Sequence, residues 1–138
     1  MLKQESSKVK SKTDGRILIV DDEPDITESF GLALEDSGFK VDKYNDPAIA
    51  LASFEPNVYS LLILDIKMPK MDGFELYDKI KKIDNKVKVF FISAFDIDRA
   101  AISKKYPGLK TENFLPKPIQ IPELIKRVEE QLWHEYHE

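Results

Sequence analysis

At 138 residues, 42% of them hydrophobic and 33% charged, the chain has the length and composition of one soluble globular domain and no room for a second folded module. Its formal net charge of −4 argues against wholesale binding of a polyanion, and the absence of cysteine excludes disulfides, thiol nucleophiles and thiolate metal sites. No apolar run approaches the roughly 18 residues of a membrane span, and the amino terminus lacks the apolar core of a secretion signal, so a cytoplasmic protein is expected.

Residues 1–14 are polar, with Lys3, Lys8, Lys10 and Lys12 set against Glu5 and Asp14, and show no apolar periodicity. A disordered tail is expected there, with a basic arm for nucleic acid or acidic lipid as the alternative, and a single folded unit over 15–138. Arg16-Ile17-Leu18-Ile19-Val20 is a buried-strand run that ends on two acids, Asp21 and Asp22. Pro24 suits the first turn of a helix, on which Ile26, Phe30, Ala33 and Leu34 share one face, and Gly38 suits its carboxyl end. Residues Phe39 to Tyr44 alternate like a strand near a sheet edge, and Asp46-Pro47 caps a short helix through Phe54.

The central run Leu61-Leu62-Ile63-Leu64 reads as a strand buried on both faces, and it too ends on an acid, Asp65. Asp72 or Gly73 opens a third helix with Leu76, Tyr77, Ile80 and Ile83 inward, closed by Asp84-Asn85. Val87 to Ile92 forms a fourth strand ending at Ser93-Ala94, and Asp96 to Lys105 a weakly apolar helix. A short fifth strand, Asn113-Phe114-Leu115, runs into Pro116-Lys117-Pro118. From Pro122 the last helix carries Ile121, Leu124, Ile125, Val128 and Leu132 on one stripe, and Trp133 to His137 reads as its surface terminus. Alternating strands and helices of this kind imply an α/β fold. The expected form is a doubly wound, five-stranded parallel sheet of flavodoxin-like order 2-1-3-4-5 with helices on both faces.

In such a sheet the strand ends deliver Asp21, Asp22, Asp65, Ser93 and Lys117 to one crevice at the switch point. Three carboxylates held together repel one another, and a divalent cation relieves that; an all-oxygen set with room for water suits Mg²⁺ better than zinc. A carboxylate can attack phosphorus and carry an aspartyl phosphate, given cations on the phosphoryl oxygens. Asp65 is the expected nucleophile, the Lys117 ammonium an expected counter-charge, and the Ser93 hydroxyl a donor to an arriving phosphoryl oxygen. Each residue also has a plainer role. Asp21 and Asp22 can charge the amino end of the first helix, Ser93 can cap the fourth, and Lys117 can be a solvated loop lysine. Phe114 can be ordinary core, and Met68, Met71 and Phe74 can be loop packing.

Asp21-Asp22, Asp65 followed by Met68-Pro69 and Asp72-Gly73, then Ser93-Ala94 and Lys117-Pro118, together resemble the motif set of response-regulator receiver domains of two-component signalling. The resemblance covers residues 15 to 138. It implies that Asp65 accepts a phosphoryl group from a histidine kinase or phosphotransfer protein. It further implies that Asp22, Asp65 and the Lys67 backbone carbonyl bind Mg²⁺, with Asp21 acting partly through water. Ser93 and Lys117 would hold the phosphoryl oxygens, and Phe114 matches the family's aromatic switch. A downstream protein target is expected on the face built by the fourth helix, fifth strand and fifth helix. Neither a DNA-binding nor a catalytic module is expected after Lys117, so the chain reads as a stand-alone or excised receiver that is not an enzyme beyond its own phosphorylation and dephosphorylation. Lys117-Pro118 is a place where the family often has a cis peptide.

Two departures qualify the likeness. The stretch from Gly108 to Lys117 is about two residues longer than is usual in the family, so an enlarged loop is expected beside the output face. Lys67 and Phe95 occupy the positions that tune loss of the phosphoryl group, and a cation and a bulky ring there point to a long-lived phosphorylated state. A haloacid-dehalogenase-type phosphatase asks for an acid where this chain has Lys67, and a phosphorylation-independent scaffold is the other alternative.

Overall fold

The computed structural model describes residues 15–94 and 98–133, the side chains of Arg99 and Trp133 excepted. The expected polar tail, Phe95, and the histidines near the carboxyl terminus therefore lie outside the described residues. Five strands, β1 (Arg16–Val20), β2 (Lys40–Tyr44), β3 (Leu61–Asp65), β4 (Lys88–Ser93) and β5 (Phe114–Pro116), pair in the order β2-β1-β3-β4-β5, all parallel. Helices α1 (Pro24–Asp36), α2 (Pro47–Ser53), α3 (Gly73–Ile83) and α4 (Arg99–Lys105) form the crossovers, and α5 (Ile121–Trp133) follows the last strand. This is the doubly wound sheet expected from the strand-helix alternation.

Alternation along each strand sorts the core into two layers. Leu18, Val20, Leu62, Leu64 and Phe91 face Ala50, Phe54, Leu76 and Ile80 of the α2–α3 side. Ile17, Ile19, Leu61, Ile63, Phe90 and Ile92 face Phe30 and Leu34 of α1 and Leu124, Val128 and Leu132 of α5. Both faces of β1 and β3 are thus covered, which is why their sequences read as unbroken apolar runs. Each such side chain contributes on the order of 1.5–3 kcal/mol by leaving water.

Local chemistry fixes the helix ends. Pro24 occupies the first turn of α1, and beyond its last turn Gly38 takes φ +100°, a left-handed conformation that glycine adopts without strain. Asp72 caps α3 in a reciprocal box with Glu75. Several boundaries differ from the sequence reading. α4 begins at Arg99, capped by the Asp98 side chain, so Ser93 is not its cap. Asn113 closes a 3₁₀ turn, Thr111–Asn113, and its amide reaches the Val89 carbonyl at 2.9 Å, so β5 starts one residue later. Ile83 and Ile121 are 43% and 36% exposed, the last residue of α3 and the first of α5, where the helix ends and the stripe has less to pack against. Among the described residues no helix is long and apolar enough to cross a membrane.

Candidate functional site

The carboxyl ends of β1 and β3 lie side by side, in register from Ile17↔Leu61 to Val20↔Leu64, and this pairing brings their terminal acids together. Asp21, Asp22 and Asp65 each offer a carboxylate oxygen within 4.8 Å of the others. Lys117, just beyond β5, places its Nζ 3.5 Å from Asp65 Oδ1 and 3.8 Å from Asp21 Oδ2. The Lys117 backbone N–H donates to the Ser93 carbonyl at 2.7 Å, so the end of β4 lies beside the loop that carries the lysine. The Lys117-Pro118 peptide is cis. Ser93 is buried at its strand end, and Lys67 is exposed in the loop after Asp65.

Two supports go beyond the roles read from the sequence, one at a residue outside the motif set and one at a residue within it. The Asn45 amide donates to the Asp21 carbonyl at 2.8 Å and to Thr27 Oγ1 at 3.0 Å, pinning the acidic turn to both β2 and α1. A lone amide after a strand carries no signature that separates it from an ordinary turn residue. Gly73 is the second. A Cβ there would run into the Asp65 backbone carbonyl, and the Gly73 N–H donates to the Ile66 carbonyl at 2.8 Å. The glycine after Asp72 is therefore what lets α3 start directly against the end of β3.

Electrostatically the cluster is under tension. Burial, then the nearby Asp21 charge, pushes the Asp65 carboxyl up to about 6, against the opposing pull of Lys117. Asp21 is also raised, mainly by burial, although its Oδ1 accepts the Glu23 N–H at 2.9 Å. Burial alone would lower Lys117, yet the charges of Asp21 and Asp65 overcome this and hold the ammonium above its usual range. Asp21 Oδ2 is buried and accepts no hydrogen bond. Leaving a carboxylate oxygen in that condition is costly. An all-oxygen set with one such unsatisfied buried atom fits a hard divalent cation such as Mg²⁺, which Asp21, Asp22 and Asp65 could hold.

Comparison with known proteins agrees with this geometry. The family model for the response regulator receiver domain matches residues 17–129. The chain belongs to that family. This receiver domain is 36% identical over 118 residues to the transcriptional regulatory protein PrrA of Mycobacterium bovis, covering 84% of the chain but 49% of that protein. It is 32% identical over 117 residues to the response regulator receiver protein CpdR of Brucella abortus, covering 85% of the chain and 96% of that protein. The chain thus spans about half the length of PrrA and nearly all of CpdR. Among solved structures, one chain of the complex of CheX and CheY with beryllofluoride and Mg²⁺ from Borrelia burgdorferi superimposes with a TM-score of 0.72 at 28% identity. That match covers 84% of this chain and 87% of the other. The receiver domain is a component of two-component signalling, whose members work with kinases and downstream targets and bind Mg²⁺ in the acidic pocket.

Proposed function

We propose that this receiver takes a phosphoryl group onto Asp65 from a histidine kinase or phosphotransfer protein, in a Mg²⁺-dependent step in the cytoplasm, and thereby switches a partner-binding face. One observation carries the reading: the buried Asp65 carboxylate has the Lys117 ammonium 3.5 Å away on one hand and the Asp21–Asp22 carboxylates on the other. A nucleophile, a fixed cation and a cation-binding set thereby share one crevice.

When bound, Mg²⁺ would supply positive charge to the phosphoryl oxygens and relieve repulsion among the acids. The rest falls to the chain. An Asp65 Oδ forms the new bond to phosphorus as the donor's phosphorus–nitrogen bond breaks; the electron pair stays on nitrogen, and a ring protonated on its other nitrogen leaves as neutral imidazole. Most Asp65 is ionised at pH 7 given a value of about 6, so no general base is required. Lys117 Nζ and Ser93 Oγ would then hold the transferred oxygens, preorganised charge and dipole being the main source of catalysis in phosphoryl transfer. The folded receiver unit is taken to be residues 15–138, with the output face formed by α4, β5 and α5 and with Phe114 as its switch. The exposed ammonium of Lys67, two residues after Asp65, favours slow hydrolysis of the phosphorylated form.

Incubation with acetyl phosphate and Mg²⁺ tests this. Intact-mass measurement should show a single acid-stable, base-labile phosphoryl adduct, absent without Mg²⁺ and absent in Asp65→Asn. Full labelling of Asp65→Asn would mean that the acceptor lies elsewhere; steady turnover would indicate a phosphatase, and no labelling of the unaltered chain a scaffold.

A further inference from the structure

The two acids that follow β1 are held in different ways. Asp21 is fully buried; its Oδ1 accepts the Glu23 N–H at 2.9 Å, and its Oδ2 lies 3.8 Å from Lys117 Nζ. Among the described residues no hydrogen bond or ion pair engages the Asp22 carboxylate, so the backbone that carries it sets its direction. The peptide joining Asp21 to Asp22 is a rigid plane. Whatever grips its carbonyl therefore fixes how the two carboxylates stand to one another.

That grip comes from Asn45. Regular β1–β2 pairing ends at Val20↔Tyr44, and the Tyr44 carbonyl takes the Asp21 N–H at 3.1 Å. One residue further on, the Asn45 amide donates to the Asp21 carbonyl at 2.8 Å and to Thr27 Oγ1 at 3.0 Å. The Thr27 hydroxyl in turn donates to the Pro24 carbonyl at 3.1 Å, which leaves its lone pairs to accept from Asn45 and so orients the amide. Thr27 is buried, so water does not compete for that oxygen. A plainer account makes Asn45 a partner that Thr27 needs, but the Pro24 bond already satisfies that hydroxyl. Asn45 is itself exposed and contributes little to packing.

We propose that Asn45 is a positioning residue for the acid set, aligning Asp22 with Asp21 ahead of Mg²⁺ binding, and that Thr27 orients it for this task. The inference rests on the reading of Asp21, Asp22 and Asp65 as a Mg²⁺ site and specifies what prepares that site. Neither Asn45 nor Thr27 is a ligand; both act through the Asp21–Asp22 peptide. Without the grip that plane is free to turn, and ordering it on binding lowers the affinity for the cation.

NMR titration of the whole chain with MgCl₂, followed through backbone amide shifts, reads the Mg²⁺ affinity of the folded protein, and urea unfolding without metal reads stability separately. Asn45→Ala should weaken Mg²⁺ binding by about tenfold, the low end for residues that hold a metal's ligands in place. Thr27→Val, which keeps the shape and removes the hydroxyl, should act in the same direction. The double variant should bind no more weakly than Asn45→Ala alone, because Thr27 acts through Asn45. A purely structural role would lower metal-free stability and leave the affinity unmoved. Unchanged affinity in Asn45→Ala, or losses that add in the double variant, would overturn the inference while leaving the Mg²⁺ reading of the acids intact. A wild-type chain that binds no Mg²⁺ would overturn that reading, and this inference with it.

Discussion

The two edges of the sheet treat buried acids in opposite ways. Ahead of β4, Asp84 is 6% exposed, and its two oxygens accept the backbone N–H groups of Asn57 at 2.9 Å and Lys86 at 3.0 Å. Burial would raise its carboxyl, but those bonds and the nearby lysines outweigh it and hold the group below the usual range. Asp42, half-buried in the middle of β2, is likewise engaged, by Arg16 at 2.9 Å and the Tyr59 hydroxyl at 2.6 Å. At the far edge, Asp21 and Asp65 are more deeply buried and both are raised, and Asp21 Oδ2 lacks any hydrogen bond. Acids whose needs the fold meets belong to its architecture; acids kept in place against their own electrostatics are the ones that a cation and an incoming group can complete.

The largest stability effect that tests this contrast lies at the satisfied edge. Asp84→Ala leaves the Asn57 and Lys86 amides without their shared acceptor, and these amides lie on exposed residues, so the cost sits toward the lower part of the roughly 1–3 kcal/mol of an unmet donor for each. Summed over the two, urea unfolding should show a destabilisation of about 3 kcal/mol. A loss below about 1 kcal/mol would mean that Asp84 is no better satisfied than the site acids.

At the strained edge the sign reverses. With a folded value of about 6, Asp65 binds more protons in the folded chain than in the unfolded one between roughly pH 4 and pH 6. Its contribution to stability therefore falls as pH rises through that window, and the full penalty applies above it. Asp65→Asn removes the penalty and should stabilise the metal-free chain by about 2 kcal/mol at pH 8, the gain vanishing near pH 4. Saturating Mg²⁺ should reverse the order, because only the intact acid set gains binding energy from the cation. A metal-free Asp65→Asn chain less stable than wild type at pH 8 would remove the electrostatic half of the comparison.

Much of this was legible in the residues, and what was not has definite causes. Runs such as Leu61–Asp65 announce a doubly covered strand because burial on both faces leaves no polar position, and an acid at the end of such a run has no packing role. The convergence of Asp21, Asp22, Asp65 and Lys117 then follows from strand order alone. Asn45 was invisible because its bonds, to the Asp21 carbonyl and to Thr27, are 24 and 18 residues away in sequence. The Ser93 cap failed because Asp98 lies at the start of α4 and has a carboxylate within reach of the Ala101 N–H. The stack of rings running from Phe114 through Phe91 and Phe74 to Tyr106 escaped notice because its members come from different segments and each reads singly as core.

The smallest predicted effect concerns Ile83, whose helical spacing from Leu76 and Ile80 placed it on the inner stripe of α3. In the structure it is 43% exposed while Ile80 is fully buried, and α3 ends at Ile83. Periodicity gives direction around a helix axis but not where the surface beneath it stops. Ile83→Lys should therefore shift stability by no more than about 0.5 kcal/mol, as for other exposed substitutions. Ile80→Ala, one turn earlier, should cost about 3 kcal/mol through lost transfer energy and the cavity left behind. A thermal or urea midpoint that moves as much for Ile83→Lys as for Ile80→Ala would show that the end of α3 is buried after all, and that the Asp84 turn beyond it is supported by packing rather than by its two backbone hydrogen bonds.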